Sequence, residues 1–228
     1  GLDIDGEVAF LESGNSVSMP DANTLAIGTM KGSAVASNAG QVRVFQFIGG
    51  AWVQKGGNID GEAAQDGSGV SVSMPDANTV GIGALSNDGN GMNAGHVRVY
   101  VWNGTGWIQK GSDLDGEAAG DQSGRAICMP DMNTVAIGAS SNITNGSHSG
   151  HVRIYNWNGT AWTQKGADID GLPGDQFGTS VSMPNANTVA VGAPGNNNNN
   201  GNTSGAVRIF SWNGSAWLQR GNDIIGEA

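Results

Sequence analysis

A repeat of 55 residues is the feature that most limits what this chain can fold into. The segment Asp3-Ile4-Asp5-Gly6 returns in similar form at residues 58–61, 113–116, 168–171 and 223–226. Such a period is typical of arrays in which each unit buries its apolar face against its neighbours. We therefore predict a single domain over residues 1–228, made of units 3–57, 58–112, 113–167 and 168–222. Residues 223–228 read as the start of a further unit, so we expect the chain to join a longer series.

Each unit contains four short segments of alternating apolar and polar residues, which is typical of antiparallel strands. In the second unit we predict strands at 70–74, 79–85, 96–102 and 106–111. Asn103-Gly104 is typical of a two-residue hairpin loop, which would pair Trp102 with Thr105 and Tyr100 with Trp107. Both faces of the resulting sheet carry apolar side chains and need cover. The fold class predicted is all-β, a β-propeller of four four-stranded antiparallel blades. We favour a closed four-bladed ring over blades pooled between two chains.

Two short motifs frame the first half of each unit. The fourth unit carries Phe177-Gly178 before its first strand and Gly192-Ala193-Pro194 at the end of its second, and the other units carry altered forms of both. This pattern resembles the FG-GAP repeat, the blade unit of integrin α-subunit propellers. The resemblance implies a propeller fold and a place among surface proteins. In that family calcium commonly binds an Asp-rich loop between the two motif strands, a loop reduced here to the turn 75–78 with one aspartate.

Composition narrows the choice of partner and compartment. The chain has 10 basic and 20 acidic side chains and a net charge of −10, which argues against binding to nucleic acid. Its apolar runs are far shorter than the roughly 20 residues that a membrane helix needs, so we predict no membrane insertion. Cys128 is the single cysteine, which excludes an internal disulfide. The acidic, lysine-poor composition favours an extracellular or cell-surface location.

Acidic residues cluster where one unit passes to the next. Carboxylates at alternate positions around a glycine turn can surround calcium, the one cofactor that the sequence suggests. The alternative is that the Asp-Gly segments form turns and cap neighbouring amides. His96 and His151 begin third strands with no metal ligand at recognisable spacing, so we do not predict zinc there. The candidate calcium ligands are Asp60, Glu62, Asp66, Asp113, Asp115, Glu117 and Asp121.

Two further groups of residues are candidates for binding a ligand. Trp107 and its equivalents recur at one strand position, which is typical of packing between blades. Trp102, Trp157 and Trp212 flank the Asn-Gly turns and could stack on sugar rings. The loops between second and third strands vary most, as specificity loops do. Their candidate residues are Asn87, Asp88, Asn90, Asn142, Asn145, His148, Asn197 and Asn198.

The sequence contains no Gly-x-Ser-x-Gly, His-Glu-x-x-His or P-loop motif, so we predict that the protein is not an enzyme. Our leading hypothesis is an extracellular adhesion or surface-assembly module that presents its variable loops to a protein or glycan on a cell surface or matrix. A lectin with one sugar site per blade is an alternative hypothesis. A structural subunit of a longer array or filament, including a homo-oligomer, is another.

Overall fold

The computed structural model describes residues 3–7, 12–32, 35–197 and 203–227. These residues form strands, turns and loops without any helix, so none of them forms a helix long and apolar enough to cross a bilayer. The strands make four antiparallel sheets, one in each repeat. The predicted all-β class is confirmed.

Each sheet is built from the same strands in the same order. The first strands are β1 (Ser16–Asp21), β6 (Ser68–Asp76), β11 (Ala126–Asp131) and β16 (Ser180–Asn185). The second strands are β2 (Thr24–Thr29), β7 (Thr79–Ala84), β12 (Thr134–Ala139) and β17 (Thr188–Ala193). The third strands are β3 (Gln41–Ile48), β8 (His96–Trp102), β13 (His151–Trp157) and β18 (Ala206–Trp212). The fourth strands are β4 (Ala51–Gln54), β9 (Trp107–Gln109), β14 (Trp162–Gln164) and β19 (Trp217–Gln219).

A short fifth strand completes each sheet, which the sequence analysis did not predict. These strands are β5 (Ile59–Asp60), β10 (Leu114–Asp115), β15 (Ile169–Asp170) and β20 (Ile224–Ile225). In the second sheet β10 pairs with the start of β8, opposite Val97 and His96, while β9 pairs with the end of β8. Two residues are too few to show an alternating pattern, which is why the segment reads as a turn in the sequence.

The hairpin between the third and fourth strands is wider than predicted. Trp102 pairs with Trp107 and Tyr100 with Gln109, so the predicted register is wrong by two positions. The reason is that Asn103 Oδ1 accepts hydrogen bonds from the amides of Thr105 and Gly106, both at 2.9 Å, and closes a four-residue loop. A shift of two leaves each side chain on its predicted face.

The hydrophobic cores lie between sheets rather than within one sheet. One cluster joins Val42, Val44 and Ile59 of the first sheet to Met74 and Ile82 of the second. Equivalent clusters join the second sheet to the third and the third to the fourth. The first strands of successive sheets contact one another. Each sheet is therefore a blade packed against its neighbours, and the second and third blades have both faces covered, as the apolar pattern of both faces requires.

Glycines of the two sequence motifs meet at each junction between blades. A Cβ on Gly83, in the second strand of one blade, would lie 2.0 Å from the carbonyl oxygen of Gly124, in the next blade. Gly28 and Gly138 approach Gly69 and Gly178 in the same way, at 2.2 and 2.0 Å. The motif glycines therefore let two backbones lie closer than any side chain would allow.

The first and last blades each leave one face open. Met19 is 54% exposed where its equivalent Met74 is 6% exposed, and Ile224 is 59% exposed where Ile169 is 5% exposed. The favoured closed four-bladed ring is thus not seen among the described residues, because its closing junction would bury these side chains. Pooling of blades between chains stays a prediction.

Replacing Gly83 with alanine tests the junction. We expect Gly83→Ala to lower the free energy of unfolding by about 2–3 kcal/mol, because the added methyl meets backbone that cannot move aside. Urea unfolding followed by tryptophan fluorescence measures the change. Gly192→Ala is the matched control, since its Cβ would meet only the rotatable hydroxyl of Ser180. Equal losses in the two variants would contradict the interpretation.

Candidate functional site

One end of the blades gathers the variable loops and the connections between blades; we call this end the loop rim. Among the described residues it consists of the loop segments 30–32, 35–40, 85–95, 140–150, 194–197 and 203–205 and the connections 61–67, 116–122 and 171–176. The starts of the third strands and the ends of the fifth strands lie beside them. The same bonds hold successive loops: the Gly95 amide donates to the Asn87 carbonyl at 2.9 Å and the Gly150 amide to the Asn142 carbonyl at 3.0 Å. A parallel bridge joins Gly95 to Ser123 of the next connection. The loop rim is a repeated frame with variable tips.

The candidate asparagines of the loops mainly shape those loops. Asn87 is buried, and its Oδ1 accepts the Gly89 amide at 2.8 Å. Asn90 donates across to the carbonyl of Gly116 at 2.8 Å. Asn142 and Asn145 repeat both roles one unit later, with Thr144 and Gly171 as their partners. A direct role in ligand binding stays a prediction for all four.

The remaining loop candidates differ in their surroundings. Asp88 Oδ1 accepts the Asn93 amide at 2.7 Å, and Asn197 Oδ1 accepts the Thr203 amide at 2.7 Å. His148 is exposed, has a positive φ of 49° and borders a shallow polar hollow. Asn198 lies outside the described residues.

Large apolar side chains protrude from three of the loops. Val35 is 60% exposed, Met92 71% and Ile143 65%. They occupy different positions within their loops, whereas the bonds that hold the loops are shared. The variable part of the loop rim is therefore partly apolar.

The tryptophans form a contact between blades. Lys55 Nζ lies 5.3 and 5.4 Å from the ring centres of Trp102 and Trp107, and donates to Ala77 O at 2.6 Å and Asn78 Oδ1 at 2.7 Å in the next blade. Trp107 Nε1 donates back to the Lys55 carbonyl at 2.9 Å. The expected role of Trp107 in packing between blades agrees with this contact. Trp102 is half-buried in the same contact, and its stacking on sugar stays a prediction.

The same contact recurs at both later junctions. Lys110 Nζ faces Trp157 and Trp162, and Lys165 Nζ faces Trp212 and Trp217, at 5.2–5.4 Å from the ring centres. Trp157 and Trp212 are half-buried like Trp102, and for them too sugar binding stays a prediction.

The thiol of Cys128 takes the place of a structural hydroxyl. Its Sγ accepts the Met183 amide at 3.2 Å, as Ser18 and Ser73 Oγ accept the Met74 and Met129 amides two junctions and one junction earlier, respectively. Burial raises the pKa of the Cys128 thiol, which disfavours the reactive thiolate.

Two of the predicted calcium ligands, Asp66 and Asp121, bind backbone amides in the structure. Asp66 turns inward, and its Oδ2 accepts the amides of Glu62 and Ala63 at 3.1 and 2.8 Å. Asp121 Oδ2 accepts the Ala118 amide at 3.0 Å. These two aspartates cap turns through these oxygens. Calcium binding by the predicted sets around Asp60 and Asp113 stays a prediction.

A different grouping forms around the two buried histidines. Glu62, His96 and Asp113 place three potential ligand atoms within 4.8 Å of one another. His96 Nδ1 lies 3.7 Å from Asp113 Oδ2 and 4.0 Å from Glu62 Oε2, and Asp115 Oδ1 is also at 4.0 Å. One repeat later, His151 Nδ1 lies 3.8 Å from Glu117 Oε2 and 3.6 Å from Asp168 Oδ2.

Sequence reasoning missed both groupings because their members are far apart in the chain. The signal that could have found them is the missed β10, which carries Asp113 and Asp115 to the start of β8. Arg98 supports the first group: its guanidinium lies 3.2 Å from Glu62 Oε1 and donates to the Asp60 carbonyl at 2.8 Å.

Burial disfavours the charged form of both histidines. Burial, followed by the nearby guanidinium, lowers the pKa of His96 beside Arg98 and of His151 beside Arg153. Burial and the neighbouring Asp168 raise the pKa of Asp170. The two groups therefore combine an imidazole lone pair with partly exposed carboxylates.

Comparison with known proteins identifies the repeat. Residues 162–210 match the family described as FG-GAP repeat. No curated protein matches the chain significantly. The β-propeller domain of the Trilobed protease from Pyrococcus furiosus is similar in fold, with a TM-score of 0.51 and 10% identity over 92% of this chain and 57% of that one. The chain is a β-propeller in which residues 162–210 match the FG-GAP repeat.

Two other solved structures match with lower TM-scores. AofleA from Arthrobotrys oligospora, in a variant with three arginines replaced by alanine, gives a TM-score of 0.48 at 14% identity over 93% of this chain and 57% of that one. The acylaminoacyl peptidase of Pyrococcus horikoshii gives 0.48 at 11% identity over 91% of this chain and 31% of that one. This chain thus spans 57% or less of the length of these three solved proteins.

The lysine contact of the propeller can be tested at one junction between blades. We expect Lys110→Met to lower the free energy of unfolding by about 1–2 kcal/mol, because it removes two charged hydrogen bonds and a cation–π contact while it keeps the apolar stem. Thermal and urea unfolding measure the loss.

Arg220→Met is the control for that measurement. Arg220 occupies the equivalent position in the last blade and is exposed. We expect no measurable change, and a loss as large as that of Lys110→Met would contradict the assigned contact.

Proposed function

We propose that this propeller is a non-enzymatic binding module that acts at a cell surface or in an extracellular matrix and contacts a protein partner through its loop rim. The observation that carries the proposal is the set of exposed apolar side chains on loops of shared architecture, above all Met92 and Ile143. A constant frame with variable tips is the usual arrangement of a specificity surface.

The charge of the loop rim specifies the partner further. Asp88, Asp115, Glu117 and Asp170 are exposed there, in a protein whose net charge is −10. Apolar side chains between carboxylates fit a partner surface that combines apolar groups with lysine or arginine. We therefore propose a protein with a basic contact surface.

The lectin alternative assigns the ligand to Trp102 and its equivalents. Each of those rings already contacts a lysine of the preceding blade and a second tryptophan of its own blade, so less of each ring is available for a sugar. This is the reason for preferring the loop rim to the blade edge.

Bead adhesion tests the proposal directly. Beads that carry the protein are mixed with cells and matrix of the source organism, and bound beads are counted. We expect wild-type beads to adhere, and the double variant Met92→Ser with Ile143→Ser to lose at least about fivefold, since two anchors leave the contact. Protease treatment of the cells should abolish adhesion, whereas glycosidase treatment should not.

Ile108→Ser is the matched control. Ile108 is 52% exposed and lies on β9, away from the loop rim. Ile108→Ser removes an exposed apolar side chain, as the two substitutions in the loop rim do. Equal adhesion of the rim variant and wild type would refute the loop rim as the contact surface. Adhesion that glycosidase removes and that depends on Trp102 would favour the lectin.

A further inference from the structure

We infer that the loop rim carries two binding sites for a divalent transition-metal cation of the zinc type. One is formed by Glu62, His96 and Asp113, the other by Glu117, His151 and Asp168. This inference is independent of the partner proposed above, because it rests on the chemistry of two side-chain clusters.

The first support is the state of the histidines. The side chains of His96 and His151 are each 1% exposed, and among the described residues neither ring nitrogen of either has a hydrogen-bond partner. A buried polar atom without a partner costs folding free energy. His96 Nδ1 faces three carboxylates and His151 Nδ1 faces two, all at distances too long for a hydrogen bond. A cation placed between the imidazole and the carboxylates of either group would satisfy them together.

The second support is the spacing of the ligand atoms. Zinc binds nitrogen and oxygen at about 2.0–2.2 Å, which places neighbouring ligands of a tetrahedron roughly 3.3–3.5 Å apart. The observed Nδ1-to-carboxylate distances are 3.6–4.0 Å. The carboxylates of Glu62 and Asp113 are 46% and 28% exposed, so they can move the few tenths of an ångström required.

The third support comes from the first repeat, where the same positions hold Glu7, Gln41 and Asn58. Gln41 Nε2 donates to Glu7 Oε2 at 2.9 Å, and Asn58 Nδ2 donates to the same oxygen at 3.0 Å. Amides thus fill this place with direct hydrogen bonds. Where histidine replaces glutamine, aspartate replaces asparagine, so both amide donors are lost together. An imidazole nitrogen and a second carboxylate take their place.

The fourth repeat shows the opposite case. Its equivalent positions hold Leu172, Ala206 and Asp223. Asp223 Oδ2 accepts Nε of Arg208 at 2.9 Å instead. Histidine, glutamate and aspartate therefore occur together in two repeats, and neither of the other repeats keeps all three.

The donor set selects the type of metal. Calcium binds six to eight oxygens, whereas imidazole nitrogen with two carboxylates suits zinc and its transition-metal neighbours. Arg98 neutralises the second oxygen of Glu62, which leaves Oε2 toward His96 and limits the negative charge of the site. A bound metal would hold three segments together. They are the connection before β6, which carries Glu62, the start of β8 at His96, and the residue before β10, Asp113.

The test is the number of zinc ions bound per chain. Chelator-treated, dialysed protein is titrated with zinc chloride by calorimetry and by competition with a chromophoric chelator. We expect two sites in the wild type and one in His96→Gln with Asp113→Asn. When the same two changes are also made at His151 and Asp168, we expect none. These substitutions copy the first repeat, so each variant should retain its fold, which circular dichroism and urea unfolding verify.

The reciprocal variant gives a gain rather than a loss. Gln41→His with Asn58→Asp, beside Glu7, should raise the number of zinc sites to three. His148→Gln removes an exposed histidine of the loop rim and should leave two sites. Zinc binding by the quadruple variant equal to that of wild type would overturn the inference, as would displacement of zinc by equimolar calcium.

Discussion

The contact between glycines of adjacent blades is the constraint on which the rest of the structure depends. Gly83 admits the carbonyl of Gly124 at a distance that no side chain permits, and the equivalent pairs do the same at the other junctions. This approach brings the first strand of one blade against the second strand of its neighbour. The glycine contact sets the distance between adjacent blades. The hydrophobic cores, the lysine contacts and the capped connections all form at that distance.

That spacing also explains why chemistry collects at one end of the blades. The chain leaves each blade by a short fifth strand that pairs with the start of the third, and enters the next blade by a connection held against the preceding loop. Three segments distant in sequence therefore meet beside the first residue of a third strand. The first residue of the third strand is glutamine in the first blade, histidine in the second and third, and alanine in the fourth. On our inference, this residue determines whether the three segments can bind a metal ion.

Sequence reasoning reached the repeat, the blades and the faces of their strands, because period and alternation are local properties. It could not reach the hairpin register, since the side chain of Asn103 widens the loop in a way that composition does not reveal. It grouped carboxylates that are neighbours in sequence, whereas Asp66 turns inward to amides and Asp113 approaches His96 through a two-residue strand. The candidate metal ligands depend on pairing between segments, which no single stretch of sequence records.

The lysine contact has a direction. Lys55 reaches forward to the turn of the following blade, and Lys110 and Lys165 do the same, so each junction joins a donor side to an acceptor side. Because every junction is built alike, a whole unit could be duplicated or deleted by recombination and the flanking units would still match. An array of this kind can change its length by single units during evolution, while a change of any other length would break a junction.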